Sequence, residues 1–198
     1  SVSLNRGFGR NFRYIGTTSL TYKETFGDHD LGVSVYQEYI NTNTRTFGYT
    51  GYGLILPFRN ESSITPGTSD NGFIPDVTGT GTRNTLVSYF TEADYGYQNK
   101  YFLHAGNRRD GSSRFGSNNR FANFYNVGAA WIASDELFLR SLKSTLELLK
   151  VKLSYGSVGN QQGIGDFASR PLFGKVNYAG NPGLALNSPG NPNLRWEQ

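Results

Sequence analysis

Apolar and polar residues alternate with period two through most of this chain, and that period predicts β-strands. Strand one is expected at about Arg10–Thr25, with Tyr14, Thr18, Leu20 and Tyr22 on one face and Arg13, Thr17, Ser19 and Lys23 on the other. Strand two, about Asp30–Thr44, sets Leu31, Val33 and Val35 against Gly32, Ser34 and Tyr36. Strand three, about Asn84–Tyr97, sets Val87, Tyr89, Ala93, Tyr95 and Tyr97 against Ser88, Glu92, Asp94 and Gly96. Strand four, about Tyr101–Arg109, alternates Tyr101, Leu103 and Ala105 with Phe102, His104, Gly106 and Arg108. Strand five, about Arg120–Ala133, puts Phe121, Tyr125, Val127, Ala129 and Trp131 on one face. Strand six, about Glu147–Val158, sets Leu149, Val151, Leu153 and Tyr155 opposite Lys150, Lys152, Ser154 and Gly156. Several of these exceed the ~5–6 residues usual in soluble sheets and reach the ~9–11 of a membrane strand.

The connections differ in kind. Phe26-Gly27-Asp28-His29 and Gln98-Asn99-Lys100 read as tight turns. Longer Gly- and Pro-rich loops are expected at about 45–83, 110–119 and 159–194. All seven prolines fall in the first and last of these loops and none in an expected strand, as a fully paired sheet requires. Short turns on one rim and long loops on the other are the asymmetry of an outer-membrane barrel. The five-to-six connection departs from it. Ser134 can cap a helix, Asp135 and Glu136 sit in its first turn, and Phe138, Leu142 and Leu146 follow at helical spacing. A short helical turn before strand six is expected there.

Composition narrows the classes. With no cysteine there is neither a disulfide scaffold nor a thiolate metal site. No apolar run approaches the ~18 residues of a spanning helix, and mean hydropathy is −0.49. A barrel remains open, because lipid-facing and lumen-facing residues average out. The net charge of +4 is carried by scattered basic residues rather than a stripe, so nucleic acid is not an expected partner. The chain opens Ser1-Val2-Ser3-Leu4 without a charged-then-apolar leader and stops at Trp196-Glu197-Gln198 in what reads as mid-strand. It is expected to be a portion of a larger protein.

No catalytic constellation emerges. Gly163-Ile164-Gly165-Asp166-Phe167-Ala168 matches a dinucleotide fingerprint, but Pro171 and Gly174 oppose the helix that such a site needs, so loop punctuation is the better reading. Gly79-Thr80-Gly81-Thr82 lacks the lysine of a phosphate loop and reads as a flexible loop. Asp28-His29-Asp30 reads as a polar turn rather than a metal site. His104 has no serine and acid arranged as a triad. Glu92 and Asp94 share a strand face and suit a lumen wall better than acid–base work. Asn60-Glu61-Ser62 fits a glycosylation acceptor, which would be irrelevant in a bacterial outer-membrane context. Tyr95, Tyr97, Tyr101, Tyr125 and Trp131 are expected in interfacial girdles. The aromatics assigned to loops, Tyr49, Tyr52, Phe58 and Phe73, are expected to pack within their own loop or to stack on sugars.

One segment carries more than periodicity. Arg109-Asp110-Gly111-Ser112-Ser113-Arg114-Phe115-Gly116-Ser117-Asn118-Asn119-Arg120, running into Phe124-Tyr125-Asn126-Val127-Gly128-Ala129-Ala130-Trp131, closely resembles the loop-and-strand signature of SusC/RagA-type TonB-dependent outer-membrane transporters. The resemblance continues through Ser134-Asp135-Glu136, Leu153-Ser154-Tyr155-Gly156-Ser157-Val158-Gly159-Asn160-Gln161 and Gly190-Asn191-Pro192-Asn193-Leu194-Arg195-Trp196-Glu197. It covers roughly half the chain, and the first half fits only in style.

The resemblance implies an all-β, antiparallel transmembrane barrel of about 22 strands around a plugged lumen. Six strands and the start of a seventh are expected in this chain, with the plug outside it. It further implies energised uptake of oligosaccharides or peptides, a SusD-like surface lipoprotein, the TonB system acting on the plug, and a lipid bilayer with lipopolysaccharide around the wall. It implies no enzyme, cofactor or metal, and it transfers no substrate-binding residue. Two other readings stay open on the sequence: a soluble β-sandwich module for carbohydrate, and a barrel serving as receptor or secretion-complex component.

Overall fold

A computed structural model describes residues 2–142 and 145–197. Eight strands form: β1 Ser3–Phe26, β2 His29–Tyr52, β3 Asp76–Tyr97, β4 Tyr101–Ser112, β5 Phe121–Ile132, β6 Lys150–Gly156, β7 Leu172–Tyr178 and β8 Asn181–Ser188. The first six make one sheet in sequence order, and β7 and β8 make a separate two-stranded ribbon. β3 with β4, β4 with β5 and β5 with β6 pair antiparallel. This is an up-and-down meander, with each strand beside the one that precedes it.

The two tight turns form where their chemistry places them. Gly27 takes φ +62° in the first, and Gln98 and Asn99 take φ 52° and 54° in the second. The strand lengths correct the expectation. β1 and β2 each run 24 residues and β3 runs 22. The expected loop 45–83 therefore shrinks to 53–75, and Gly79-Thr80-Gly81-Thr82 is strand, not flexible loop. Tyr49 and Tyr52, expected in that loop, lie in β2. The missed residues are rich in Thr, Gly and Arg, and they pair through backbone and hydroxyl contacts such as Thr46 Oγ1 to Thr80 Oγ1 at 2.7 Å. Apolar alternation does not report such pairing.

The loop 159–194 is likewise partly ordered, since it contains the β7/β8 ribbon. Ala179 at φ 48° and Gly180 at φ 83° give a two-residue turn of the primed kind that hairpins favour. Pro182 lies within β8, against the expectation that every proline is in a loop. It is tolerated because a two-stranded ribbon consists of edge strands. The expected helix at Ser134 is instead two 3₁₀ turns, Ala133–Asp135 and Leu137–Leu142. Ser134 lies inside the first turn rather than capping it, and its buried hydroxyl has no hydrogen-bond partner among the described residues. Part of the helical spacing, at 143–144, lies outside the described residues.

The contacts divide the chain into two compact units, residues 1–14 with 41–84, and 15–40 with 85–198. In the first, loop 53–75 is packed rather than open. Ile64 lies against Gly51 and the Phe73 ring against Gly53, where a Cβ would meet them at 2.5 and 2.6 Å. Thr65 Oγ1 donates to the Gly53 carbonyl, and Arg6 Nε donates to Glu61 Oε1 at 2.9 Å. In the second unit, the buried hydrophobic residues are Phe115, Phe124 and Ala133 alone among those described, while leucines, valines and aromatics stand exposed along the strands. A β-sandwich is built around interdigitated apolar side chains from two sheets. This six-stranded sheet has no second sheet over it among the described residues, so the sandwich reading does not hold.

Candidate functional site

The second unit presents two chemically different faces. On one, the registers place Tyr95, Leu103, Ala129 and Leu153 in a row. The next row holds Ala93, Ala105, Val127 and Tyr155. Leu153 is 76% exposed and Val127 52%, so these apolar side chains stand largely uncovered among the described residues. Aromatic residues bound this band on both sides. At the short-turn end His29 stacks on Phe26 at 5.4 Å and lies 4.8 Å from Tyr97, which stacks on Tyr101 at 6.2 Å. The Tyr101 hydroxyl and the Trp131 indole both donate to Glu136 Oε1. These two hydrogen bonds, with Lys100 close by, hold the Glu136 carboxyl below its ordinary range.

At the far end the Arg109 guanidinium sits 5.1 Å over Phe121, while Tyr125 and Tyr155, 6.2 Å apart, lie within the band. Trp131 and Phe121 are ten residues apart on β5. At a rise of ~3.4 Å and a tilt of ~40° the band is about 26 Å tall, matching the ~25 Å of an outer-membrane barrel. No helix among the described residues is long and apolar enough to span a membrane. Of the expected girdle residues, Tyr97, Tyr101 and Trp131 lie at the short-turn edge of the band and Tyr95 just inside it, whereas Tyr125, six residues and about 16 Å from Trp131, lies within the band and is not a girdle residue.

The opposite face is polar. His104 Nδ1 meets Asp94 Oδ1 at 2.8 Å, a pairing that their ten-residue separation conceals until the hairpin closes. Further along, Arg108 donates from Nε to both oxygens of Asp110 at 2.7 and 2.9 Å. From Nη2 it donates to Glu38 at 3.2 Å and to Ser88 at 2.9 Å. Its guanidinium lies 4.8 Å over Phe90, which stacks on Tyr36 at 4.5 Å. Asp110 and Ser88 are buried, so the network satisfies groups that would otherwise cost several kcal/mol to desolvate. It joins β2, β3 and β4 side by side. One arginine bound to two carboxylates leaves the cluster one negative charge in excess.

The motif words that lie far apart in sequence meet in one place. Gly116 N donates to the Leu194 carbonyl at 2.9 Å, and Asn119 Nδ2 donates to the Asn193 carbonyl at 3.1 Å. Gly116 is required there, since a Cβ would lie 1.8 Å from the Pro192 oxygen. Phe115 is fully buried against Trp196 at 4.5 Å, Phe124 meets the edge of the same indole, and Trp196 Nε1 donates to the Arg120 carbonyl. Ser112 donates to Gln161 at 2.9 Å, and Arg114 bridges Asp166 at 2.9 Å. Asn160 pairs with Glu197 in an antiparallel bridge, the start of the expected seventh strand. Loop 113–120, the start of 159–194 and its end are thus tied into a single knot.

The remaining motif readings are resolved by their contacts. His29 Nδ1 bonds the Tyr95 hydroxyl, Asp28 accepts from Gln98, and Asp30 accepts from Thr25. The three side chains of the Asp28-His29-Asp30 turn therefore serve three different partners. Gly163-Ile164-Gly165 is irregular loop without a helix, and Asp166 belongs to the knot. Glu61 of the Asn60-Glu61-Ser62 sequence lies in a 3₁₀ turn. No group of three or more metal-ligating side chains occurs among the described residues.

A sheet with an apolar band of membrane height between aromatic girdles, and a polar opposite face, is the wall of an outer-membrane β-barrel. No family model matches the chain. It is 31% identical over 202 residues to TonB-dependent receptor P26 of Formosa agariphila, covering 92% of this chain and 20% of the receptor. It is 41% identical over 135 residues to TonB-dependent receptor SusC of Bacteroides thetaiotaomicron, covering 62% of this chain and 13% of SusC. Among solved structures, the RagAB peptide importer in its closed-closed state superposes with a TM-score of 0.83 at 28% identity, over 97% of this chain and 21% of that one. The chain belongs to the barrel of the SusC/RagA-type TonB-dependent outer-membrane transporters. It spans about a fifth or less of the length of these relatives.

Proposed function

We propose that this chain forms part of the wall of an importer that takes up oligosaccharides or peptides across the outer membrane, energised by TonB acting on a plug domain. A SusD-like surface lipoprotein completes the assembly on the outer side, and lipid with lipopolysaccharide surrounds the wall. The role is non-enzymatic: the wall excludes lipid from a polar lumen and carries the loops that meet solute. The observation that supports this most directly is the two-faced sheet, with Leu103, Val127 and Leu153 to one side and Asp94, His104 and Arg108 to the other. The similarity to RagAB, a peptide importer, points the same way.

The test is uptake of a labelled oligosaccharide or peptide mixture by cells carrying or lacking the gene, with and without a protonophore. Loss of uptake in both the deletion and the de-energised cells is expected, together with co-purification of a surface lipoprotein. Uptake indifferent to both would refute the reading. A barrel that retains its lipoprotein yet moves no solute would indicate the receptor role instead.

A further inference from the structure

The first unit holds an arginine pair that its own contacts leave unexplained. Asn5 Nδ2 bonds Thr50 Oγ1, and Gly9 faces Thr46, so the next pair along β1 and β2 sets Arg10 directly across from Arg45. Thr46 in turn pairs with Thr80, which sets Gly81 across from Arg45 and Gly79 across from Phe47. Like charges directly opposite on adjacent strands destabilise the pair. Neither arginine is bound to an acid among the described residues, and the one recorded contact of Arg10 is its guanidinium 6.0 Å over Phe12. The pair opens onto a recess of about 470 Å³ lined by Phe8, Arg10, Arg45, Phe47 and the glycine backbone. No carboxylate lines it.

Two features make the recess suited to an anion. Gly81 has nothing within 4 Å of where its Cβ would be, so the floor beside Arg45 is bare backbone and open space. The two guanidiniums offer planar donor forks that match phosphate geometry. A third feature selects the kind of anion. Phe8, Phe12 and Phe47 are 68%, 55% and 55% exposed around the arginines, a mixture of apolar rings and fixed cations that suits a lipid headgroup region.

We propose that this recess binds a phosphate of a phosphorylated glycolipid of the outer membrane, with Arg10 and Arg45 on the phosphate oxygens and the three phenylalanines against the lipid's less polar parts. The inference rests on the outer-membrane assignment and is independent of which solute is imported.

The experiment uses the full-length transporter extracted from outer membranes and stripped of lipid by detergent exchange. Purified lipopolysaccharide, its dephosphorylated form and inorganic phosphate are added separately, and binding is read by the thermal shift and by bound phosphorus per mole. The parent protein should bind the phosphorylated glycolipid, and Arg10→Gln/Arg45→Gln should bind it about tenfold or more weakly. Lipid-free, the double variant should melt no earlier than the parent, because a repulsive pair has been removed. Arg45→Lys, which keeps charge but loses the fork, should fall between them. Solute uptake should be unchanged in all three, which separates failure here from failure of the transport reading. Equal affinity of parent and double variant, or equal binding of the dephosphorylated glycolipid, overturns the proposal. So does a site filled by inorganic phosphate alone, or a double variant that keeps its glycolipid but loses a co-purifying acidic protein.

Discussion

Val127, Leu153 and Ser154 allow the membrane reading to be tested by depth as well as by face. Counting from Trp131 along β5, Val127 lies four residues into the band. That places it about 10 Å from the Trp131 girdle, close to the middle of a 26 Å layer. Leu153 pairs with Ala129, two residues in, and so lies about 5 Å from the same girdle. Ser154 points to the other face, level with His104 and Gly128. An arginine at the midplane costs ~2–4 kcal/mol and one near an interface ~0–1. Val127→Arg should therefore cost about 2–4 kcal/mol, Leu153→Arg about 1–2, and Ser154→Arg less than 1. Reversible urea unfolding of the full-length barrel in phospholipid vesicles, followed by tryptophan emission, measures all three. Equal costs for Val127→Arg and Ser154→Arg would refute the assignment of faces. A larger cost for Leu153→Arg than for Val127→Arg would refute the depth scale while leaving the faces intact.

Other expectations follow from the polar face, the knot and the short-turn rim. Arg108→Ala strands the carboxylates of Asp110 and Glu38 beside one another and should cost about 2–4 kcal/mol in the same unfolding assay. Gly116→Ala drives a Cβ into the Pro192 carbonyl, and it should expose 159–194 to protease while leaving β4 and β5 protected, as mapped by limited digestion. Glu136 has a folded pKa below its unfolded value, so its contribution is full above the unfolded value near 4.5 and is lost only as pH falls through the lower folded one. Acid titration of stability should show that loss, and Glu136→Gln should flatten it.

Much of the wall was legible because lipid writes a signal into sequence. Where one face meets hydrocarbon, as at Leu103, Val127 and Leu153, alternation is strict and strands four to six lie within about three residues of their expected bounds. Residues 45–52 and 76–83 carry no such alternation, so nothing in their pattern distinguished a long strand from a loop. The ribbon β7/β8 was hidden for a different reason: its turn is Ala179-Gly180, and an alanine at positive φ is not the signal that Asn-Gly would have been. Ser134 had the chemistry of a cap, but Ala133 N and Ser134 N both donate to the Leu149 carbonyl, and the chain turns before an α-helix can start. The pairings Asp94–His104 and Arg108–Glu38 needed a register, which composition cannot supply.

The knot at Phe115 and Trp196 has a consequence for how such a wall can be varied. Both arms of the long excursion 159–194 are fastened, at Gln161 and Asp166 on one side and at Asn193 to Trp196 on the other. Everything between those fastenings, including the β7/β8 ribbon, hangs from fixed points. A different ribbon, a longer one or none can be grafted between the same two anchors without moving a single ladder bond of β4 or β5. The loop surface is thereby free to vary while the lipid-facing wall stays as it is.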